Sequence, residues 1–225
     1  MPLNKYIDHT ILKPTCLLAD IHKLCQEAVQ FDFAAVCVPP NFVKSAKEQL
    51  TGSGVKVATV IGFPFGYSAT EAKIAEIILA IVDGADELDV VANISAIKNG
   101  DWSAIADEIN HIMPIIRSKG KAVKIIIESG VLTEDEIIKC CNIYGIAGID
   151  FLKTSTGYAE KGASEEAVQL FRKHLPEAVR IKASGGIRDY ETAKKMIDAG
   201  ATRIGCSAGV AIVTGAKIDN LKSNY

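Results

Sequence analysis

The sequence is short of the residues and patterns that most readily betray a function. It has 4 histidines in 225 residues, and none stands in an HxH or HExxH arrangement, so a metal site has no motif behind it. Its 6 cysteines (Cys16, Cys25, Cys37, Cys140, Cys141 and Cys206) form no CxxC and keep no regular spacing. In a chain able to build its own core they read as reduced, buried thiols and not as a disulfide framework. The net charge of −2 leaves no electrostatic case for nucleic acid or an anionic membrane. No apolar run reaches the roughly 18 residues that a membrane helix needs. The opening "MPLNKYIDHT" lacks the apolar core of a signal peptide. The expectation is a cytoplasmic protein with no nucleic-acid or membrane partner. No linker, low-complexity segment or composition shift interrupts the chain, so residues 1–225 are expected to form one domain.

What is present is a rhythm. Short β-branched runs alternate with longer segments of helical periodicity, the pattern of βα units around a parallel sheet. The predicted strands are Lys5–Asp8, Ala34–Val38, Val57–Ile61, Glu87–Val91, Val123–Glu128, Ile149–Lys153, Arg180–Ala183 and Arg203–Cys206. "SATE" (68–71) and "TEDE" (133–136) read as capping boxes, and Asp20 and Asp189 as caps of the helices they precede. Gly84, Gly120, Gly145 and Gly200 fall where helices are expected to end, and Pro114 is expected to kink or divide its helix. Eight strands, each followed by a helix, predict an α/β fold, a single-domain (β/α)₈ TIM barrel. An open doubly wound sheet is the alternative, disfavoured because no GxGxxG follows the first strand.

Function in such a barrel sits at the C-terminal ends of the strands. There "GIDFLKTSTGYAEKG" (148–162) puts Lys153 where an apolar run would continue, and "IKASGGIRD" (181–189) puts Lys182 in the same place on the next strand. If both point inward, burial and a like charge each disfavour the ammonium form, and at least one amine should be neutral near pH 7. A neutral lysine in a dry pocket suits Schiff-base formation with a carbonyl. Taken singly, each lysine has the plainer reading of a solvated side chain. Asp89, in "DELDVV" (86–91), is a candidate for proton transfer or for a purely structural ion pair with the lysines. Lys124 extends the polar cluster, and Asp8, Cys37 and Thr154 are accessory candidates by position at strand ends. Gly157, Gly185, Gly186, Gly205 and Ser207 lie in glycine-bearing segments after the last strands, where phosphate sites are frequent in barrels. Turn formation alone is the alternative reading of those glycines. His9 can reach the pocket or serve a structural hydrogen bond.

Together "DHTILKPT" (8–15), "GFPFG" (62–66), "DELDVV" (86–91), "KIIIESG" (124–130), "FLKTSTG" (151–157), "IKASGGIRD" (181–189) and "RIGCSAG" (203–209) resemble the deoxyribose-phosphate aldolase family, in order and over nearly the whole chain. The resemblance implies a metal-free, cofactor-free class I aldolase. It would interconvert 2-deoxy-D-ribose 5-phosphate with D-glyceraldehyde 3-phosphate and acetaldehyde in deoxynucleoside breakdown. It also implies that Lys153 forms the Schiff base, that Lys182 perturbs it and assists proton transfer, that Asp89 donates and accepts protons, and that the glycines with Ser207 cradle the phosphate. A homodimer is a further expectation of the family. Two positions depart from some relatives: Tyr158 replaces a lysine and Ala208 a second serine. Tyr225, closing a short tail at about 217–225, matches a terminal tyrosine that some members fold into the site. A transaldolase-like enzyme, a metal-dependent aldolase and a non-catalytic phosphometabolite-binding barrel are the competing readings.

Overall fold

β-Branched runs too short to be helices become the staves of a closed barrel in the computed structural model, which describes residues 2–215. The staves are β1 (Ile7–Thr10), β2 (Ala35–Val38), β3 (Lys56–Ile61), β4 (Glu87–Val91), β5 (Ala122–Ile126), β6 (Phe151–Lys153), β7 (Arg180–Ser184) and β8 (Arg203–Cys206). All neighbours pair in parallel, and β8 pairs back onto β1 with Asp8 opposite Gly205. The predicted (β/α)₈ barrel is therefore the observed fold. The helices that return the chain are α1 (Leu18–Gln30), α2 (Val43–Gln49), α3 (Thr70–Val82), α4 (Ile94–Lys98) and α5 (Trp102–Ser118). They are followed by α6 (Glu134–Ile146), α7 (Glu165–His174), α8 (Tyr190–Asp198) and α9 (Gly209–Thr214). Tyr225 and the tail at 217–225 lie outside the described residues.

Strand alternation sorts the side chains into two environments. Ile7, Val36, Val57, Leu88, Ile125, Leu152, Ile181 and Ile204 face outward and are fully buried against the helices. Inside the barrel, a small apolar cluster of Leu12, Cys37, Ala58 and Val60, with Phe63 packed on it, occupies the side built from the first three strands. The other side is ionic. The register puts Lys153 beside Lys182 and Asp89 beside Lys124, so their side chains come from matched heights on neighbouring strands.

Local signals held where the cap and the helix start coincide. Thr133 accepts from the Glu136 amide while the Glu136 carboxylate accepts from the Thr133 amide, the reciprocal pair that "TEDE" encodes. Asp189 caps α8 through the Thr192 amide at 2.8 Å. Several details differ from expectation. α3 begins at Thr70, so Ala69 is the cap and "SATE" makes no box. Asp20 lies inside α1 and its carboxylate accepts from the Leu17 amide. Gly145 lies within α6, where a Cβ would stand 2.7 Å from Pro176, so close packing is its reason. The first strand starts two residues later than predicted, because Asn4–Tyr6 form a 3₁₀ turn. Pro114 does not divide α5.

Candidate active site

Six of the strands, β1 and β4 to β8, deliver charged side chains to the same small volume. Lys153 Nζ donates to Asp89 Oδ2 at 2.8 Å, and Lys182 Nζ donates to that same oxygen at 2.8 Å. Lys124 Nζ takes the other carboxylate oxygen, Oδ1, at 2.8 Å and also meets Glu87 Oε2 at 2.5 Å. Lys182 reaches Asp8 Oδ2 at 2.5 Å, and Arg203 bridges Asp8 Oδ1 at 2.6 Å and Glu87 Oε2 at 3.2 Å. Asp8, Asp89, Lys124 and Lys182 are completely buried and Lys153 is 3% exposed. Lone buried charges would be prohibitive, so the cluster persists only because every member has an opposite partner.

The pairing is uneven, and that sets the protonation order. Burial disfavours the Lys182 cation, but Asp8 and Asp89 outweigh it and hold the ammonium above the ordinary lysine value. Lys124 is likewise raised, burial being overcome by Asp89 and Glu87. Lys153 goes the other way: burial draws it down, Asp89 opposes, and the Lys182 cation adds to the depression. Burial would raise Asp89, yet Lys124, Lys153 and Lys182 hold it well below the usual carboxylate range. Of the two lysines singled out in the sequence, Lys153 is thus the amine that most readily gives up its proton.

The remaining sequence candidates are distributed around this cluster. Cys37 sits in the inner apolar patch, its thiol pushed up to about 11 by burial and the Asp89 charge. Thr154 turns away: its hydroxyl accepts from the Ser184 amide at 3.0 Å and ties β6 to β7. Gly157, Gly185 and Gly186 adopt left-handed backbone (φ 93°, 90° and 81°) in the loops after β6 and β7. Gly185 also packs against Gly162, whose Cα lies 2.9 Å from where a Cβ would be. Gly205 is placed differently from the other cradle candidates. It lies within β8, its main chain engaged in both neighbouring ladders, and a Cβ there would stand 2.9 Å from Lys182 Cε. What it provides is room for the lysine. Ser207 is exposed just beyond β8. His9 faces the helix layer, 2.8 Å from Glu27 and edge-on to Phe33, so it takes the structural bond.

Sequence reading passed over Arg203 and Glu87 as site residues. Their signal was the alternation itself, since Glu87 shares a strand face with Asp89 and Arg203 with Gly205. It also passed over Glu128, which follows β5 with left-handed backbone (φ 50°) and accepts from the Thr156 amide and hydroxyl. Glu128, Thr156, Tyr158, Pro64, Phe65 and Tyr67 line a cavity of about 290 Å³ beside the barrel mouth. A larger cavity of about 450 Å³ lies between α6 and α7 and contains none of the cluster.

Residues 3–215 match the family described as DeoC/LacD family aldolase. A deoxyribose-phosphate aldolase of Thermococcus gammatolerans is 52% identical over 96% of this chain and 97% of its own. The chain belongs to the DeoC/LacD family of aldolases. A further family relative, the deoxyribose-phosphate aldolase of Brevibacillus brevis, is 50% identical over 96% of this chain and 97% of its own. Among solved structures, a tetrameric deoxyribose phosphate aldolase from Aeropyrum pernix superposes with a TM-score of 0.89 at 32% identity, covering 95% of this chain and 90% of that one. A structure titled "QR15, an Aldolase" gives a TM-score of 0.89 at 41% identity, covering 95% of each chain. Among the described residues, no helix is long and apolar enough to cross a membrane.

Proposed function

We propose that this aldolase interconverts 2-deoxy-D-ribose 5-phosphate with D-glyceraldehyde 3-phosphate and acetaldehyde, through a Schiff base on Lys153. The observation that carries the assignment is the contest for Asp89: two amines share one carboxylate oxygen, and only Lys182 has a second carboxylate, Asp8, to hold its proton. Lys153 is left as the nucleophile.

Neutral Lys153 attacks C1 of the open-chain sugar, and the C1 oxygen takes up protons until water leaves. Lys182 is the nearest acid and Asp89 the nearest base for those transfers. The resulting iminium draws electrons from the C2–C3 bond as a proton leaves the C3 hydroxyl, which releases glyceraldehyde 3-phosphate and leaves an enamine. Protonation at C2 and hydrolysis free acetaldehyde and regenerate the amine. Because the acid and base share one buried network, a pH–rate profile reports the cluster and not one residue. The anionic end of the substrate is assigned to the left-handed backbone at Gly157, Gly185 and Gly186, with Ser207 beside them. The same reading takes residues 1–225 as one catalytic domain with a short tail at about 217–225. It acts on small phosphorylated sugars and aldehydes in the cytoplasm as a homodimer, within deoxynucleoside breakdown.

Borohydride reduction in the presence of 2-deoxyribose 5-phosphate, followed by peptide mapping, tests the assignment. A reduced adduct on Lys153 is expected. An adduct on Lys182 would invert the two roles, and no adduct in folded protein would overturn the mechanism.

A further inference from the structure

The ionic side of the barrel interior continues below the reacting layer. Glu87 lies two residues before Asp89 on β4, and Phe151 two before Lys153 on β6, which places them about 6–7 Å deeper along the strands. At that depth the Arg203 guanidinium is held by Asp8, Glu87 and the Phe151 ring, 5.3 Å from its centroid. Arg180 covers the same ring at 3.9 Å. Glu87 and Arg203 have no contact with Lys153; their link to it runs through Lys124, Asp8 and Asp89.

Counting the charges of the connected cluster gives that distant pair a purpose. Asp8, Glu87 and Asp89 supply three negative charges, and Lys124, Lys182 and Arg203 balance them; Lys153 is the cation left over. Protonating Lys153 therefore puts a net positive charge into a buried volume, and deprotonating it makes the volume neutral. We infer that Glu87 and Arg203 are positioning residues for the aldolase reaction: one carboxylate and one guanidinium, remote from substrate, whose balance keeps Lys153 the unmatched amine. This rests on the proposed Schiff-base role of Lys153.

The other groups facing Lys153 are Asp89 from β4, Lys182 from β7, the Cys37 thiol from β2, and Glu128 from the loop after β5. Asp8 from β1 and Lys124 from β5 complete the set through Asp89 and Lys182. In none of these contacts is Lys153 given a second carboxylate bond. A change in the count below is therefore felt at Lys153 first, because every other cation has two acidic partners.

The sign of the effect separates this from a packing role. Glu87→Gln removes a negative charge, making the Lys153 cation still less favourable, so the neutral amine should persist to lower pH. Arg203→Met leaves a negative charge in excess and should retain the proton to higher pH. The test is cyanoborohydride trapping of 2-deoxyribose 5-phosphate on Lys153 across a pH series, in protein whose fold is checked by circular dichroism. Glu87→Gln is expected to move the acid limb of trapping about one pH unit toward acid, and Arg203→Met about one unit toward alkali. That is the scale of one uncompensated buried charge at an effective dielectric near 20. The double variant should return the limb to the wild-type position. If Arg203→Met does not fold, Glu87→Gln and the double variant still decide between the two. Limbs that stay put, or that both move one way, overturn the inference while leaving Lys153 as the trapped residue. Failure of the wild-type protein to label Lys153 overturns the proposed function itself.

Discussion

Lys73 and Lys153 are both sealed from water, and burial draws both ammonium groups below the ordinary lysine value. Their surroundings then diverge. Lys73 leaves α3 to donate to Glu108 Oε2 at 2.7 Å and to the Val91 carbonyl at 2.8 Å. One carboxylate serves one amine there, and burial raises Glu108 while Lys73 offsets only part of that rise. Lys153 shares its carboxylate with Lys124 and Lys182, and the sharing holds Asp89 well down. Burial alone thus makes a depressed amine, which is common to both places. What makes a nucleophile is a cation in excess of its partners, standing at a strand end beside the loops that meet substrate.

Three substitutions sharpen that contrast. Lys153→Ala should have the largest effect, a loss of turnover of about 10⁴-fold or more, as for other covalent nucleophiles. The fold should survive, because Asp89 keeps Lys124 and Lys182 as partners. Steady-state rates beside a thermal melt check both halves of this, and appreciable turnover would place the nucleophile elsewhere. Lys73→Met should reverse the pattern. It strands Glu108 without its cation, which costs about 3–5 kcal/mol of stability, while the pH dependence of trapping on Lys153 stays where it was. Adding Glu108→Leu removes the stranded carboxylate and should recover most of the loss in denaturant unfolding. A shift in the trapping profile of the single variant would show that the two buried pairs are coupled after all.

The sequence made the barrel legible because each strand is a short run of alternating or wholly apolar character and most helices end in readable punctuation. Lys153, Lys182 and Asp89 were legible for a related reason: a charge inside an apolar strand is conspicuous. Lys73 was not, since on a helix a lysine ordinarily lies in water, and only the packing of α3 on α5 buries this one. Arg203 and Glu87 open their strands, where a charge normally faces solvent, and barrel closure is what turns them inward. Gly205 carries a second demand that was not legible in one dimension: a Cβ there would stand 2.9 Å from Lys182 Cε, so its missing side chain gives the lysine room. Glu128 escaped because left-handed backbone at a non-glycine residue leaves no mark in sequence.

The smallest expected effect lies at the rim. Tyr158 is 40% exposed, stands edge-on to Phe63 with ring centroids 5.4 Å apart, and donates its hydroxyl to the Leu12 carbonyl at 2.9 Å. It therefore ties the loop after β6, which carries Gly157, to the loop after β1, across the mouth of the barrel. Tyr158→Phe keeps the aromatic contact and deletes the tie. A hydrogen bond of this kind is worth about 1 kcal/mol, so KM for 2-deoxyribose 5-phosphate should rise about 2- to 5-fold with kcat unchanged, and the melting behaviour should hardly move. A fall in kcat instead would mean that the rim loop positions the reacting carbons. The reactive end of the site would then extend from the buried lysines to the surface, and the boundary drawn between a catalytic interior and a binding rim would have to be moved outward.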